Sequence, residues 1–325
     1  MRAAELDGEL AAAVDEIEAL GLPEWHTLSV DAARRVEDDL FSGDPDPPVE
    51  AVRDLGFDGP HGEVPVRVYR PGNESDPRAG GGDDPREGTA GARTLVHFHG
   101  GGWTLGTLDS VDGICRELAT RADAVVISVA YRLAPEHPFP VAVDEAVAAV
   151  EWAAEVAGSL GGDPDRIGVS GTSAGGALAL AAAMSTREFG GPSLDGQFLL
   201  YPVAGHDFET ESHRENAQGP LLTRADVQWF YDQYLRSAVD AANPFAVPLQ
   251  AANLGGLPPA TVVTAGFDPL RDDGRRLVER FDAEGTPVEG QHYPAMAHGF
   301  CSLADRVTTA ETALSAVASD VRSRL

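Results

Sequence analysis

The fold is decided by residues 167–184, IGVSGTSAGGALALAAAM. Residues 167–171 form a short β-rich run, and an alanine-rich run typical of a helix follows almost at once. Between them, Gly171-Thr172-Ser173-Ala174-Gly175 has the form G-x-S-x-G. A strand that turns this sharply into a helix exposes the central serine and leaves no room for a Cβ at the flanking positions. The pattern alone also occurs in ordinary Gly-Ser turns, and the strand–turn–helix context is what favours a reactive serine.

Strands and helices alternate on both sides of this turn. The internal runs are too apolar for surface strands and favour a parallel sheet covered on both faces. Strands are predicted at 94–99, 124–130, 167–171, 197–202, 260–266 and, more weakly, 287–294. An earlier strand is predicted around Val64, Val66 and Val68, and helices are predicted at about 141–157 and 303–324. The alternation predicts an α/β protein with a mostly parallel, doubly wound sheet.

Two segments interrupt this order. Residues 1–50 have an acidic, helical pattern, and residues 203–243 lack strands but carry apolar residues at helical spacing. We expect them to form a helical cap over a core built from residues 51–202 and 244–325. Residues 73–93 are rich in Gly, Pro and charge, which predicts a solvated loop without chemistry.

A glycine run follows the predicted strand at 94–99, in the sequence His99-Gly100-Gly101-Gly102-Trp103. Attack on an ester carbonyl builds negative charge on oxygen, and closely approaching backbone N–H groups stabilise it. An H-G-G-G loop supplies such donors in lipases and esterases. A flexible turn or a phosphate loop is the alternative, but the run lacks the lysine of a phosphate loop.

A serine nucleophile needs a base, and in this fold the chain order is Ser, acid, His. Histidines after Ser173 are His206, His213, His292 and His298. The first two lie in the cap-like segment before any suitable acid, and His292 has strand-like neighbours. His298 follows the last predicted strand and is the best candidate.

The candidate acid is Asp268, directly after the strand at 260–266. Pro269 suits the first position of a following helix. Asp272 and Asp273 are competitors, although one turn into that helix a carboxylate also interacts favourably with the helix dipole. Asp268 is preferred, and the other two stay open.

Charge is the most unusual feature of the composition. The 325 residues include 52 Asp and Glu against 24 basic residues, for a formal charge of -28, and every basic residue is arginine. Such a surface repels nucleic acids and anionic membranes, so neither is an expected partner. At about 1 M salt the Debye length falls to roughly 3 Å, which would quench the self-repulsion. We hypothesise adaptation to high salt; an acidic protein from a GC-rich genome is the alternative.

The expected location is the cytoplasm. No window resembles a transmembrane helix, and the N-terminal residues lack the features of a signal peptide. The two cysteines, Cys115 and Cys301, are far apart and fit no metal spacing. Free thiols in a reducing compartment are therefore predicted.

From about residue 50 onward, the chain resembles the hormone-sensitive lipase family of bacterial and archaeal carboxylesterases. The resemblance lies in HGGGW at 99–103, YRLAPEHPFP at 131–140, DPDRIGVSGTSAGG at 163–176, DPLRDDG at 268–274 and HGF at 298–300. It implies an α/β-hydrolase fold with a helical cap, and a catalytic triad of Ser173, Asp268 and His298. It also implies an oxyanion hole built from the backbone N–H groups of Gly101, Gly102 and Ala174.

The activity implied by the resemblance is hydrolysis of short- to medium-chain acyl esters, without a metal or cofactor, by a monomer or a homodimer paired through the edge strand near 287–294. One departure is Thr172, where the family usually has Asp. Trp103 is the foremost candidate for the substrate pocket; Trp25, Phe208 and Phe230 are weaker ones. The alternatives are an amide, carbamate or lactone hydrolase with the same triad, and a non-catalytic ligand-binding member of the fold.

Overall fold

The computed structural model describes residues 1–43, 47–72 and 91–325. Most of the predicted loop at 73–93 therefore lies outside the described residues. Within them, one eight-stranded sheet has the order β1-β2-β4-β3-β5-β6-β7-β8. The strands are β1 Ala51–Gly59, β2 Gly62–Arg70, β3 Ala92–Phe98, β4 Ala124–Val129, β5 Gly162–Thr172, β6 Gly196–Leu200, β7 Ala260–Phe267 and β8 Val288–Ala297.

The sheet is parallel from β4 to β8, and β2 runs antiparallel to both β1 and β4. The prediction of a mostly parallel sheet is confirmed. The helices of the described residues are α1 Gly8–Ala19, α2 Val30–Phe41, α3 Asp112–Ala122, α4 Val141–Leu160, α5 Ala174–Phe189, α6 Glu211–Glu215, α7 Arg224–Tyr234, α8 Arg271–Glu284 and α9 Thr308–Arg324. Short 3₁₀ turns lie at Trp25–Thr27, Asp240–Ala242, Pro248–Gln250 and Phe300–Leu303.

The sheet separates two apolar clusters, because successive side chains of a strand point to opposite faces. In β4, Val125 and Ile127 belong to the cluster under α4, α5 and α8, whereas Val126 belongs to the cluster under α3 and α9. All six residues of β4 are buried. This two-sided burial explains why the strand has no polar alternation.

Several elements differ from the sequence predictions, and three of the differences have a clear local cause. Strand β1 was not predicted, because of its nine residues only Phe57 is buried and the run carries little apolar signal. Helix α4 continues beyond the predicted end at 157, to Leu160, and Gly161 ends it with a φ of 90°. The last helix begins at Thr308 rather than near residue 303, because Phe300–Leu303 form a separate 3₁₀ turn.

The N-terminal segment and the 203–243 insertion bind each other. The Asp226 carboxylate accepts hydrogen bonds from the backbone N–H of Thr223 at 2.9 Å, which caps α7, and from the backbone N–H of His26 at 2.9 Å. The Trp25 indole N–H donates to the carbonyl of Leu221 at 3.3 Å. One buried carboxylate therefore both caps the start of α7 and fastens the N-terminal segment to it.

None of the helices in the described residues is long and apolar enough to cross a bilayer.

The close approach of α5 to the sheet gives a stability prediction. A Cβ on Gly175 would lie 2.0 Å from the carbonyl oxygen of Phe98, so Gly175→Ala forces backbone apart. We expect the free energy of unfolding to fall by about 3 kcal/mol or more, as for an overpacked core. Urea denaturation measures it.

Gly158→Ala in α4 is the matched control, because the site is exposed and nothing lies within 4 Å of the added methyl group. We expect this variant to be equal to the parent or up to about 1 kcal/mol more stable, since alanine is the better helix former. Equal unfolding free energies for the two variants would contradict the packing argument.

Candidate active site

A single residue, Ser173, separates β5 from α5. Its φ of 54° and ψ of -117° are unfavourable for a residue with a side chain. The surrounding backbone holds it there, because its N–H donates to the carbonyl of Leu200 at 2.9 Å and its carbonyl accepts from Gly176 at 3.0 Å. A Cβ on Gly171 would lie 2.1 Å from the carbonyl oxygen of Gly175, which explains the glycines of the turn.

His298 lies against both Ser173 and Asp268. Its Nε2 is 3.0 Å from the Ser173 hydroxyl oxygen, and its Nδ1 is 2.9 Å from a carboxylate oxygen of Asp268. Asp268 is fully buried, and its other carboxylate oxygen accepts the N–H of Leu270 at 2.8 Å. With the imidazole proton on Nδ1, the ring donates to the carboxylate and offers Nε2 to the serine proton. This is the arrangement that activates a serine nucleophile.

The two competing acids hold the insertion instead. The Asp273 carboxylate accepts the N–H groups of Ala204 at 3.0 Å and Gly205 at 2.8 Å. Asp272 accepts the N–H of Ser212 at 2.8 Å. Burial raises the pKa of Asp273 to about 6. Neither carboxylate contacts an imidazole among the described residues, so Asp268 alone has the geometry of the orienting acid.

The other three histidines of the sequence analysis lie elsewhere. His292 on β8 lies with Nδ1 2.9 Å from the hydroxyl oxygen of Thr264. His206 packs edge-on against Tyr231, with ring centroids 4.7 Å apart. His213 is buried, and burial lowers its pKa to about 4.

The glycine run after β3 has backbone that other residues adopt at a cost. Gly101 and Gly102 have φ values of 99° and 57°. A Cβ on Gly101 would lie 2.3 Å from the carbonyl oxygen of Leu105, and one on Gly102 would lie 2.1 Å from the ring of Phe230. Over the described part of the chain, neither N–H donates to a carbonyl. Ala174 is the first residue of α5, where an N–H has no partner within the helix.

His99 and Tyr131 support the glycine run through hydrogen bonds to its backbone carbonyls. The buried His99 ring lies with Nδ1 2.7 Å from the carbonyl of Gly100, and burial lowers its pKa to about 4, so it donates as a neutral ring. Tyr131 stacks on it at 4.2 Å and donates its hydroxyl to the His99 carbonyl at 2.9 Å. The N–H of Ala134 donates to the carbonyl of Trp103 at 2.8 Å. The 131–140 motif therefore supports the glycine loop, a role that sequence reasoning did not assign.

A cavity of about 130 Å³ lies over Ser173 and His298. The N-terminal segment and the insertion both contribute to its wall, through Trp25, Glu37, Phe41, Leu221, Leu222, Val227, Phe230 and Tyr231. Trp103 also lines it, and its ring stacks on Tyr234 at 4.0 Å. Of the four aromatic candidates, Phe208 is not in the wall and packs against Tyr231 instead, with centroids 6.0 Å apart.

Sequence reasoning missed two neighbours of the triad candidates. The Tyr201 ring lies edge-on to the His298 ring at 5.0 Å, with a backbone φ of 40° directly after β6. The Asn216 side chain donates to the backbone carbonyl of Asp268 at 3.1 Å. Thr172, where the resemblance implied Asp, is buried in the cavity wall beside Gly100. No motif pointed to Asn216, because it lies in the insertion.

The cysteines lie outside this site. Cys115 and Cys301 are free and buried, and burial raises the pKa of each thiol to about 12. In residues 1–43, 47–72 and 91–325, no group of three or more His, Cys, Asp or Glu side chains is placed to hold a metal ion.

Residues 95–302 match the family model described as the α/β hydrolase fold. A carboxylic ester hydrolase of Mycobacterium tuberculosis, LipN, is 45% identical over 258 residues, which are 78% of this chain and 65% of the relative. An ethyl acetate hydrolase of Pseudomonas putida is 34% identical over 92% of both chains. Among solved structures, an ester hydrolase from the metagenome of Lake Arreo, bound to a bipyridine phosphonate derivative, superposes with a TM-score of 0.88 at 34% identity over 98% of both chains.

The contrast between Asp268 and Asp272 is testable with a fluorophosphonate, which labels activated serines. We expect Asp268→Asn to slow labelling of Ser173 by roughly 10⁴-fold, because His298 would lose the tautomer that accepts the serine proton. Asp272→Asn, the matched control four residues away, is expected to label within a few-fold of the parent rate. Mass spectrometry follows the adduct, and equal rates in the two variants would exclude Asp268 as the acid.

Proposed function

This chain belongs to the hormone-sensitive lipase family of α/β hydrolases, a family of carboxylic ester hydrolases, and we propose that it cleaves short- to medium-chain acyl esters through an acyl-serine intermediate. The observation that carries the proposal is the run of contacts from Ser173 through His298 to Asp268, at 3.0 and 2.9 Å. Ester cleavage is the chemistry that such a run performs beside backbone N–H groups that can stabilise an oxyanion.

In the first step, Nε2 of His298 takes the hydroxyl proton as the oxygen of Ser173 bonds to the ester carbonyl carbon. The carbonyl electron pair moves to oxygen, and the N–H groups of Gly101, Gly102 and Ala174 stabilise that negative charge. Asp268 stays ionised and stabilises the imidazolium. When the tetrahedral intermediate collapses, the bond to the alcohol oxygen breaks and His298 gives that oxygen its proton.

In the second step, His298 takes a proton from water as the water oxygen attacks the acyl carbon. The same N–H groups stabilise the second oxyanion. Collapse returns the proton to Ser173 and releases the carboxylic acid. No cofactor takes part in this proposal.

The substrate range in the proposal follows from the cavity. Its wall is mostly apolar and its volume of about 130 Å³ suits a short acyl chain better than a long one. In the proposal, residues 1–50 and 203–243 act together as the cap that covers the substrate, with Trp103 at the base of the pocket. In this proposal the cap residues shape the pocket, and the core residues carry out the reaction.

The test is hydrolysis of p-nitrophenyl esters of graded chain length, with an amide and a lactone for comparison. We expect kcat/KM to be highest for short and medium acyl chains and to fall for long ones, since a long chain exceeds the cavity. Ser173→Ala should lose about 10⁶-fold in kcat, as expected when the nucleophile of such a triad is removed. A parent that cleaves the amide or lactone far faster than every ester would contradict the proposed substrate class.

Adaptation to high salt is the second part of the proposal, and it rests on the charge of -28. Between 0.1 and 1 M salt the Debye length falls from about 10 to about 3 Å, so repulsion among surface carboxylates is screened. We expect the melting temperature to rise between 0.1 and 2 M KCl. Differential scanning calorimetry measures this, and a flat or falling melting temperature would leave the acidic composition without a salt function.

A further inference from the structure

Glu37 is a carboxylate in the wall of the substrate cavity. It lies on α2, in the N-terminal segment, and is only 8% exposed, yet it lines the same cavity as Ser173 and His298. Its Oε2 is buried and has no hydrogen-bond partner among the described residues. An unpaired buried polar atom is costly, so a residue kept in this condition needs an explanation.

The groups around Glu37 do not neutralise it. Burial raises the pKa of Glu37 to about 7, the Ser110 hydroxyl and the Gly106 N–H work against that rise, and the negative charge of Asp38 adds to it. The Tyr131 phenol, from the segment behind the glycine loop, also faces it and is neutral. No arginine forms an ion pair with Glu37 in the described chain.

Arg34, one turn before Glu37 on the same helix, binds other groups. Arg34 donates to the backbone carbonyls of Thr104 at 3.0 Å and Ala134 at 3.0 Å, and it forms an ion pair with Glu136 at 2.7 Å. Arg34 therefore holds α2 against the loops that contain Thr104 and Ala134, and it does not pair with the Glu37 carboxylate. No complementary charge for that carboxylate comes from its own helix.

We propose that Glu37 binds a hydrogen-bond donor of the substrate, above all a protonated amine, so that this site prefers esters that carry a cationic group. The inference rests on the proposed ester hydrolysis and adds its substrate class. The wall residues Phe41, Leu105 and Val111 are apolar and Ser110 is uncharged, so Glu37 is the only carboxylate in the cavity wall among the described residues. The strongly acidic chain also attracts cations and repels anions.

A purely structural role does not account for this carboxylate. A glutamine would fill the same volume and meet the same neighbours without a charge to bury. Because the folded state holds the Glu37 proton up to about pH 7, the carboxylate weakens folding as the pH rises from about 4.5 through 7. The residue therefore lowers stability at neutral pH, which is typical of groups kept for binding.

The experiment uses two pairs of esters that differ by one atom in shape-matched molecules. On the alcohol side, 2-(dimethylamino)ethyl acetate is compared with 3-methylbutyl acetate. On the acyl side, ethyl 3-(dimethylamino)propanoate is compared with ethyl 4-methylpentanoate. A pH-stat at pH 7.5 gives kcat/KM for each ester, and the ratio within a pair reports recognition of the ammonium group.

We expect Glu37→Gln to lower this ratio by about tenfold for one of the two pairs, the loss typical of a charge-assisted hydrogen bond. The intrinsic reactivity of the amine ester cancels, because the parent and variant act on the same molecules. Asp39→Asn, which removes one charge from an exposed site of the same helix, is the matched control and should keep the parent ratio. Unchanged ratios in Glu37→Gln for both pairs would overturn the inference.

Two further measurements separate this inference from the proposed function. Calorimetry measures binding of the same esters to Ser173→Ala, with and without Glu37→Gln, and needs no turnover. If the parent cleaves no ester but amine binding still depends on Glu37, only the proposed hydrolysis is refuted. Thermal unfolding confirms that Glu37→Gln is folded, and its gain in melting temperature over the parent should grow between pH 4.5 and 8. Amine binding that is independent of Glu37 refutes only the inference.

Discussion

The site depends on how closely one helix approaches the backbone of the sheet. Helix α5 begins directly after Ser173, and its first turn lies so near β3 that the carbonyl of Phe98 occupies the space of any side chain at Gly175. Ser173 is held at an unfavourable φ by that contact and by the hydrogen bond from its N–H to the carbonyl of Leu200. The same turn makes Ala174 the first residue of α5, whose N–H has no partner within the helix. One strained residue thus fixes the position of the Ser173 hydroxyl and, beside it, of a backbone N–H at the start of α5.

The central strands and the serine turn were predictable from the sequence because burial on both faces and a tight turn each leave a local signature. Strand β1 was not, since its residues are mostly exposed and only its pairing with β2 makes it a strand. Asp268, Asp272 and Asp273 lie within six residues, but Asp268 follows β7 directly whereas Asp272 and Asp273 lie in the first turn of α8. Chain order and spacing favoured Asp268, and coordinates were needed to show that the other two accept backbone N–H groups of the insertion.

Glu37 shows the limit of pattern reasoning most clearly. Its helix carries acidic residues on several sides, and in isolation one more carboxylate resembles a solvated surface charge. Only the packing of α2 against the loops around Thr104 and Ser110 buries it. Asn216 and Tyr131 are similar cases, because each acts on the backbone of a distant segment. Such contacts leave no periodic trace in the chain.

The insertion also supports the acid loop of the core. Ser212 donates its hydroxyl to the carbonyl of Pro269 at 2.7 Å, and Asn216 donates to the carbonyl of Asp268 itself. The insertion, which contributes to the cavity wall, therefore also buttresses Asp268, the proposed orienting acid, whose carboxylate lies 2.9 Å from His298. An engineer who trimmed residues 203–243 to admit bulkier molecules would remove that buttress as well. A graft of this insertion between relatives should therefore transfer α6 and the turn after β7 together.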